Sequence, residues 1–348
     1  MTMIRIQTRN LRAVLAGLAS TAALLVANAP ASAQTTRTQL KVYSTLEADN
    51  IAPYKQAFEA ANPDIEIVWI RDSTGVVTAK IMAEGDNQHG DAIWGLAVTS
   101  AAKMKTMGLL VPYAPKNLAA IKPGFRDKAD PPAWVGMEAW VAAVCYNRIE
   151  GDKFGLKAPV SWFDLTDPSY KGRIVFPNPA SSGTGYFHVS AWIQLFGEEK
   201  AWAFMDALHK NVAFYEHSGT KPCRQAAAGE FAVGISYELA GATLKSKNAP
   251  IDVLLMKEGG GWDMDTAAIL KGTKHLSQAQ RLMDFSASRE ANEIYARFVS
   301  QVAIEGIAKP LPNYPEGVAA SMIKNDLDWA ADNRDRILAE WQRRYEKK

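Results

Sequence analysis

Short apolar runs of strand length, each closed by hydroxyl or glycine residues and followed by a segment with helical periodicity, recur along this chain and restrict it to an α/β architecture. Leu40-Lys-Val-Tyr43 reads as a strand ended by Ser44 and Thr45, and Asp49 or Asn50 caps a helix carrying Ile51, Tyr54 and Phe58 on one side. Asn62-Pro63 stops that helix, because the residue before a proline is pushed out of the α region. Ile65-Glu-Ile-Val-Trp-Ile70 is a second strand, followed by Ser73-Thr-Gly75 and another helix, and Asp91-Ala-Ile-Trp94 is a third strand. Such alternation gives a parallel-rich sheet buried on both faces, and ligands on such sheets bind beyond the carboxyl ends of the strands.

The pattern breaks at Lys128-Ala-Asp-Pro-Pro-Ala-Trp134 and resumes with Trp140-Val-Ala-Ala-Val-Cys-Tyr146, a strand entering a second lobe. There Arg173-Ile-Val-Phe176 runs into Asn178-Pro-Ala-Ser-Ser-Gly-Thr-Gly-Tyr186 and an apolar-faced helix. Val212-Ala-Phe-Tyr215 leads to His217-Ser-Gly-Thr-Lys-Pro-Cys223, and Ala232-Val-Gly-Ile-Ser236 ends at Tyr237-Glu238. Ile251-Asp-Val-Leu-Leu255 and Gly259-Gly-Gly-Trp-Asp263 read as a return to the first lobe, and the tail is helical. The expected division is a first lobe of residues 34–138 and 250–303 and a second of 139–249 and 304–348, each a mixed sheet flanked by helices.

Residues 1–33 read as a secretory signal peptide. Arg5, Arg9 and Arg12 precede the apolar run Ala13 to Val26, and Ala31-Ser-Ala33 supplies the small-x-small cleavage pattern before Gln34. The run is interrupted by Gly17, Ser20 and Thr21 and is short for a bilayer span, so the expected product is exported to the periplasm without a membrane anchor. A formal net charge of +2 asks for no nucleic acid partner. Cys145 and Cys223 can pair in an oxidising compartment or remain as buried thiols. His89, His188, His209, His217 and His275 form no pair at metal-ligand spacing, so neither a metal site nor a cofactor is expected.

Five strand ends rich in hydroxyls and glycine, in two lobes, would face one another across a cleft. A turn leading into a helix presents free N–H groups and the positive end of the helix dipole, which suits a phosphate-like group. The expected donors are Ser44, Thr45, Ser73, Thr74, Ser182, Gly183, Thr184, Thr220 and the Tyr237 hydroxyl. Helix N-capping by Ser182 or Thr184 is the plainer use of the same residues. Acids at the same level, Glu47, Glu238 and Asp263, would hold an ammonium group, with Trp94 or Trp262 offering an aromatic face. Hydrolase, zinc-protease and phosphate-loop motifs are missing. Ser218-Gly-Thr-Lys221 fits the Ser-x-x-Lys of penicillin-recognising enzymes, which leaves a secreted serine enzyme as a rival of another class.

The chain resembles the periplasmic solute-binding proteins of ABC importers, in the group with ferric-ion and thiamine binders, and is most similar to the 2-aminoethylphosphonate-binding subgroup. The resemblance spans the mature chain and rests on Asn178 to Gly185, on His217 to Glu230 with Gly234-Ile-Ser-Tyr-Glu238, on Ser288-Arg-Glu-Ala-Asn292, and on Asn325 to Trp341. It implies a two-lobed type II fold that closes on its ligand, works as a monomer, delivers the ligand to a membrane permease and performs no chemistry. In ferric-ion relatives the anion beside the metal sits on the turn matched here by Ser182, Gly183 and Thr184. The metal-ligand places read Glu47, Leu96 and Tyr237-Glu238, without the tyrosine pair. The implied ligand is therefore 2-aminoethylphosphonate, its phosphonate on the turns and its amine toward Glu47 and Glu238, with ferric ion or another small solute as the rival within the same fold.

Overall fold

The computed structural model describes residues 37–346, so the expected leader lies outside the described residues. Eleven strands follow in chain order: β1 (Thr38–Ser44), β2 (Ile65–Arg71), β3 (Ala92–Ala97), β4 (Leu110–Val111), β5 (Val135–Asn147), β6 (Ile174–Pro177), β7 (Val212–Glu216), β8 (Val233–Tyr237), β9 (Ile251–Leu254), β10 (Trp262–Leu270) and β11 (Gln301–Val302). They hydrogen-bond in the order β2-β1-β3-β10-β5-β8-β6-β7, with β4 on β10 and β9 and β11 on β5. Pairs β1/β2, β1/β3, β6/β7 and β6/β8 are parallel, whereas β10 and β5 run antiparallel to their neighbours. No described helix is long and apolar enough to cross a membrane.

All thirteen residues of β5 are buried, and this strand joins two hydrophobic cores. Its first half pairs with β10 and β11, its second half with β8 and β9. The first core contains Leu40, Phe58, Ile93, Trp94, Met264 and Tyr295; the second contains Trp162, Phe176, Trp192, Phe204, Ile235 and Trp341. A hydrophobic strand with no exposed face can be buried only between covering layers, and the helices on both sides of each sheet supply them.

Two segments sit differently from the expected division. Strand β9 pairs with Val144–Asn147 of β5, and Met256 lies in the second core, so the chain returns to the first lobe at β10 rather than at residue 250. Ile304 and Ile307 remain in the first core, while Ile337, Trp341 and Tyr345 of the last helix, Arg334–Tyr345, pack in the second. Trp341 meets the Tyr215 ring edge-on at 4.9 Å, and Tyr345 donates to Asp206 at 2.6 Å, which fixes that helix on the second lobe.

The cysteines are bonded to each other, with a Cα–Cα distance of 5.3 Å. The bridge ties the second half of β5 to the helix Lys221–Ala227, immediately after the turn Ser218-Gly-Thr220.

Candidate functional site

Helices Ala48–Ala61 and Thr74–Glu84 of the first lobe and Gly183–Phe196 of the second begin at one cavity of about 700 Å³, a size typical of small-molecule sites. Glu47 and Ser73 occupy the N-cap positions of the first two helices, and neither side chain caps its own helix; in the first turns Asn50 N donates instead to the Glu47 carbonyl at 2.9 Å and Gly75 N to the Ser181 carbonyl. Ser182 does cap its helix, accepting from Gly185 N at 3.3 Å, which agrees with the plainer reading of that residue while still placing it on the cavity wall.

Glycine permits the close approach of the lobes here. Gly75 N donates to the Ser181 carbonyl at 2.8 Å, and a Cβ on Gly75 would stand 2.0 Å from the Ala180 carbonyl oxygen. A Cβ on Gly183 would stand 2.7 Å from the Thr74 hydroxyl. The second-lobe turns converge as well, since the Ser236 hydroxyl donates to Gly219 O at 2.6 Å and Ser218 and Thr220 hydroxyls lie 3.1 Å apart. Thr45, Ser73, Thr74, Ser182, Gly183, Thr184, Thr220 and Tyr237 thus line one cavity, joined by Ser218. Ser44 does not: it is fully buried, and its hydroxyl accepts from Leu46 N at 3.3 Å, closing the turn from inside.

The expected amine-facing group is rearranged. Glu47 reaches the cavity but is already engaged by Thr220 at 3.3 Å, Arg224 at 3.1 Å and Arg71 at 3.6 Å. It serves as a bridge across the cleft. Glu238 lies away from the cavity, fully buried, accepting from Val141 N at 2.6 Å and from the Tyr314 hydroxyl at 2.8 Å. Burial pushes its carboxyl up to about 7. Asp263 accepts from Val98 N at 3.0 Å and from Thr99 Oγ1 at 2.9 Å, so it caps the helix Val98–Thr106 from a neighbouring strand. Trp94 is enclosed in the first core, donating to Tyr295 and stacked on Trp69 at 5.6 Å. Trp262 donates to Ile323 O at 2.9 Å and lines no part of the cavity.

Three residues that sequence reasoning missed line the cavity instead: Glu138, Trp140 and Asp265. Tyr54 donates to Glu138 Oε2 at 2.8 Å, and Trp140 Nε1 donates to Asp265 Oδ2 at 3.0 Å. Burial moves both carboxyls upward from the ordinary range, and the charge of Asp265 adds to the effect on Glu138. Among the described residues no lysine or arginine forms a salt bridge with either acid. A signal was available, because Glu138 is the only charged residue in a thirteen-residue strand that is otherwise buried and non-ionic.

The Ser-x-x-Lys match does not assemble an active centre. Lys221 Nζ is paired with Glu216 at 2.9 Å, and the Ser218 hydroxyl turns to Thr220.

Two α/β lobes joined by a shared strand, with a polar cavity ringed by helix N-termini from both, define the class of type II binding proteins. A family model for bacterial extracellular solute-binding proteins matches residues 96–327, and the chain belongs to that family. It is similar to a probable ABC transporter periplasmic-binding protein of Sinorhizobium fredii, 25% identical over 322 residues, covering 90% of this chain and 86% of the relative. Among solved structures, it is similar to the periplasmic binding protein AfuA of Actinobacillus pleuropneumoniae with fructose-6-phosphate bound. The TM-score is 0.83 at 30% identity, over 89% of this chain and 99% of that one. Iron-bound HitA of Pseudomonas aeruginosa shares the fold, with a TM-score of 0.73 at 22% identity over 87% of this chain and 99% of that one.

Proposed function

We propose that this protein is the periplasmic solute-binding component of an ABC importer, that it works as a monomer without catalysing a reaction, and that its ligand is 2-aminoethylphosphonate. The observation that carries the reading is a cavity with two kinds of lining. Neutral donors and helix N-termini make up one part of it, and Glu138 and Asp265, with no salt-bridge partner among the described residues, make up the other. An oxyanion fits the first part, because fixed N–H and O–H donors replace its hydration, and Arg71 and Arg224 stand nearby. An ammonium fits the second, because it relieves the repulsion of two buried acids while Trp140 offers a ring face. Thr45, Ser73, Thr74, Ser182, Gly183, Thr184, Thr220 and Tyr237 hold the phosphonate, and the ammonium-binding role expected of Glu238 passes to Glu138 and Asp265.

A sugar phosphate is the second reading. The likeness to the fructose-6-phosphate-bound relative favours it, as does a cavity roomier than aminoethylphosphonate needs. Acids also accept from sugar hydroxyls. Ferric ion has less support: among the described residues no three His, Cys, Asp or Glu side chains are grouped as a metal site requires.

Calorimetric titration of the chain from Gln34 onward with aminoethylphosphonate, ethylphosphonate, phosphate, fructose-6-phosphate and ferric citrate tests the proposal. Tight binding of the first with weak binding of ethylphosphonate requires both parts of the cavity lining. Preference for fructose-6-phosphate, or for ferric citrate, refutes the ligand assignment and leaves the fold and family standing.

A further inference from the structure

We infer that the Glu138–Asp265 pair keeps a proton in the empty cleft and that a cationic ligand group displaces it, so that ligand uptake is coupled to proton release. The inference rests on the ammonium reading above.

The geometry begins in the sheet. Met264 pairs with Ala139 and Thr266 with Gly136, so Asp265 alone stands opposite Met137 and Glu138. An irregularity of this kind re-aims side chains, and such bulges gather beside functional sites. Both carboxylates line the cavity, although Glu138 is only 2% exposed and Asp265 5%. One oxygen of each has a donor, from Tyr54 and from Trp140.

Among the described residues no lysine or arginine is salt-bridged to either acid. Tyr54 comes from the helix Ala48–Ala61, Tyr295 from the helix Arg289–Tyr295, and Tyr237 from the end of β8. Asp263 on β10 acts on Asp265, and Glu238 acts on Glu138, both as like charges. Arg71 and Arg224 are drawn to Glu47, and Lys247 is exposed at the cavity edge. Two neighbouring acids this deeply buried disfavour joint ionisation without a cation, so the pair retains a proton. The upward displacement of both carboxyls by burial is consistent with that state.

An arriving ammonium favours the ionised form. The carboxyl O–H bond breaks, the proton passes to solvent and buffer, and the ammonium, which keeps its own three protons, takes its place. A sugar hydroxyl brings no charge and leaves the proton largely where it is. For one linked proton, affinity rises up to about tenfold per pH unit across the range in which the pair would otherwise retain it.

The test is aminoethylphosphonate binding to the intact chain near pH 7, followed by calorimetry in buffers of different ionisation enthalpy and by infrared difference spectroscopy. Calorimetry should count about one proton released per ligand. The phosphonate can contribute to that count, so the infrared signal decides: a carboxylic-acid C=O stretch should disappear on binding as carboxylate bands grow. In Asp265→Asn the same difference spectrum should lose that feature. Tight binding with no carboxylic-acid band lost overturns the inference and leaves the ligand reading intact, as does an undiminished band change in Asp265→Asn. No binding of aminoethylphosphonate overturns the ligand reading and this inference with it.

Discussion

Replacing Gly75 with alanine should separate ligand affinity from stability. Gly75 is the second residue of the helix Thr74–Glu84 and has no left-handed backbone angle, so alanine fits its conformation. Taken alone, the first lobe should gain roughly 0.5–1 kcal/mol, the usual advantage of alanine over glycine within a helix. With the lobes together, the new methyl would stand 2.0 Å from the Ala180 carbonyl oxygen, a backbone atom that cannot turn aside. The lobes must part locally, and the hydrogen bond from Gly75 N to Ser181 O is stretched or lost. Overpacking costs about 1–3 kcal/mol and the hydrogen bond about 1 kcal/mol, so closure weakens by roughly 2–4 kcal/mol. At 1.4 kcal/mol per decade, ligand affinity should fall by roughly 30- to 1000-fold. Titration calorimetry gives the affinity, and thermal unfolding without ligand gives the stability. Unchanged affinity, or an affinity loss explained by an equally destabilised free protein, would refute the closure argument.

Three further outcomes follow from the same geometry. Gly183→Ala should weaken binding less than Gly75→Ala, because its methyl meets the Thr74 side chain, whose hydroxyl lies at 2.7 Å and can rotate; the ratio of the two dissociation constants checks this. Breaking Cys145–Cys223 by double alanine substitution removes a link across a sequence separation of 78, which the chain-entropy model values at about 4.5 kcal/mol; urea unfolding should show a loss of that order. Glu238, raised to about 7 by burial against an ordinary value near 4.3, keeps in the folded state a proton that the unfolded chain has lost. Its contribution is therefore lost as pH rises through 7. His188, lowered to about 3 by burial, works oppositely but only below the ordinary histidine value near 6.5. Stability should thus fall from pH 6.5 to pH 8, by on the order of 1 kcal/mol from Glu238, and urea midpoints that rise instead would contradict the assignment.

Much of the fold was legible because its signals are local. Asn62-Pro63 ends a helix by sterics, and the small-residue turns after β1, β6 and β7 mark strand ends whatever the tertiary context. The donor side of the site follows from the same turns, which is why Thr45, Ser73, Thr74, Ser182, Gly183, Thr184, Thr220 and Tyr237 meet at the cavity. The acidic side did not follow. Glu238 and Asp263 stand next to turn or strand-end residues in sequence, but backbone N–H groups of other strands and helices claim them, through Val141 and Val98. Glu138 and Asp265 enter the cavity because β5 pairs irregularly with a strand more than a hundred residues away. Trp94 illustrates the same limit. Its indole is claimed by Tyr295, a long-range partner that local pattern does not reveal.

The most direct test of the central claim is a crystal structure of the protein grown with aminoethylphosphonate. Phosphorus density is expected at the N-terminal turn of the helix Gly183–Phe196, within reach of Ser182, Gly183, Thr184 and Thr74, and the amine nitrogen between Glu138 and Asp265. A ligand whose nitrogen lies away from both acids, or an empty cleft at saturating ligand, would contradict that claim.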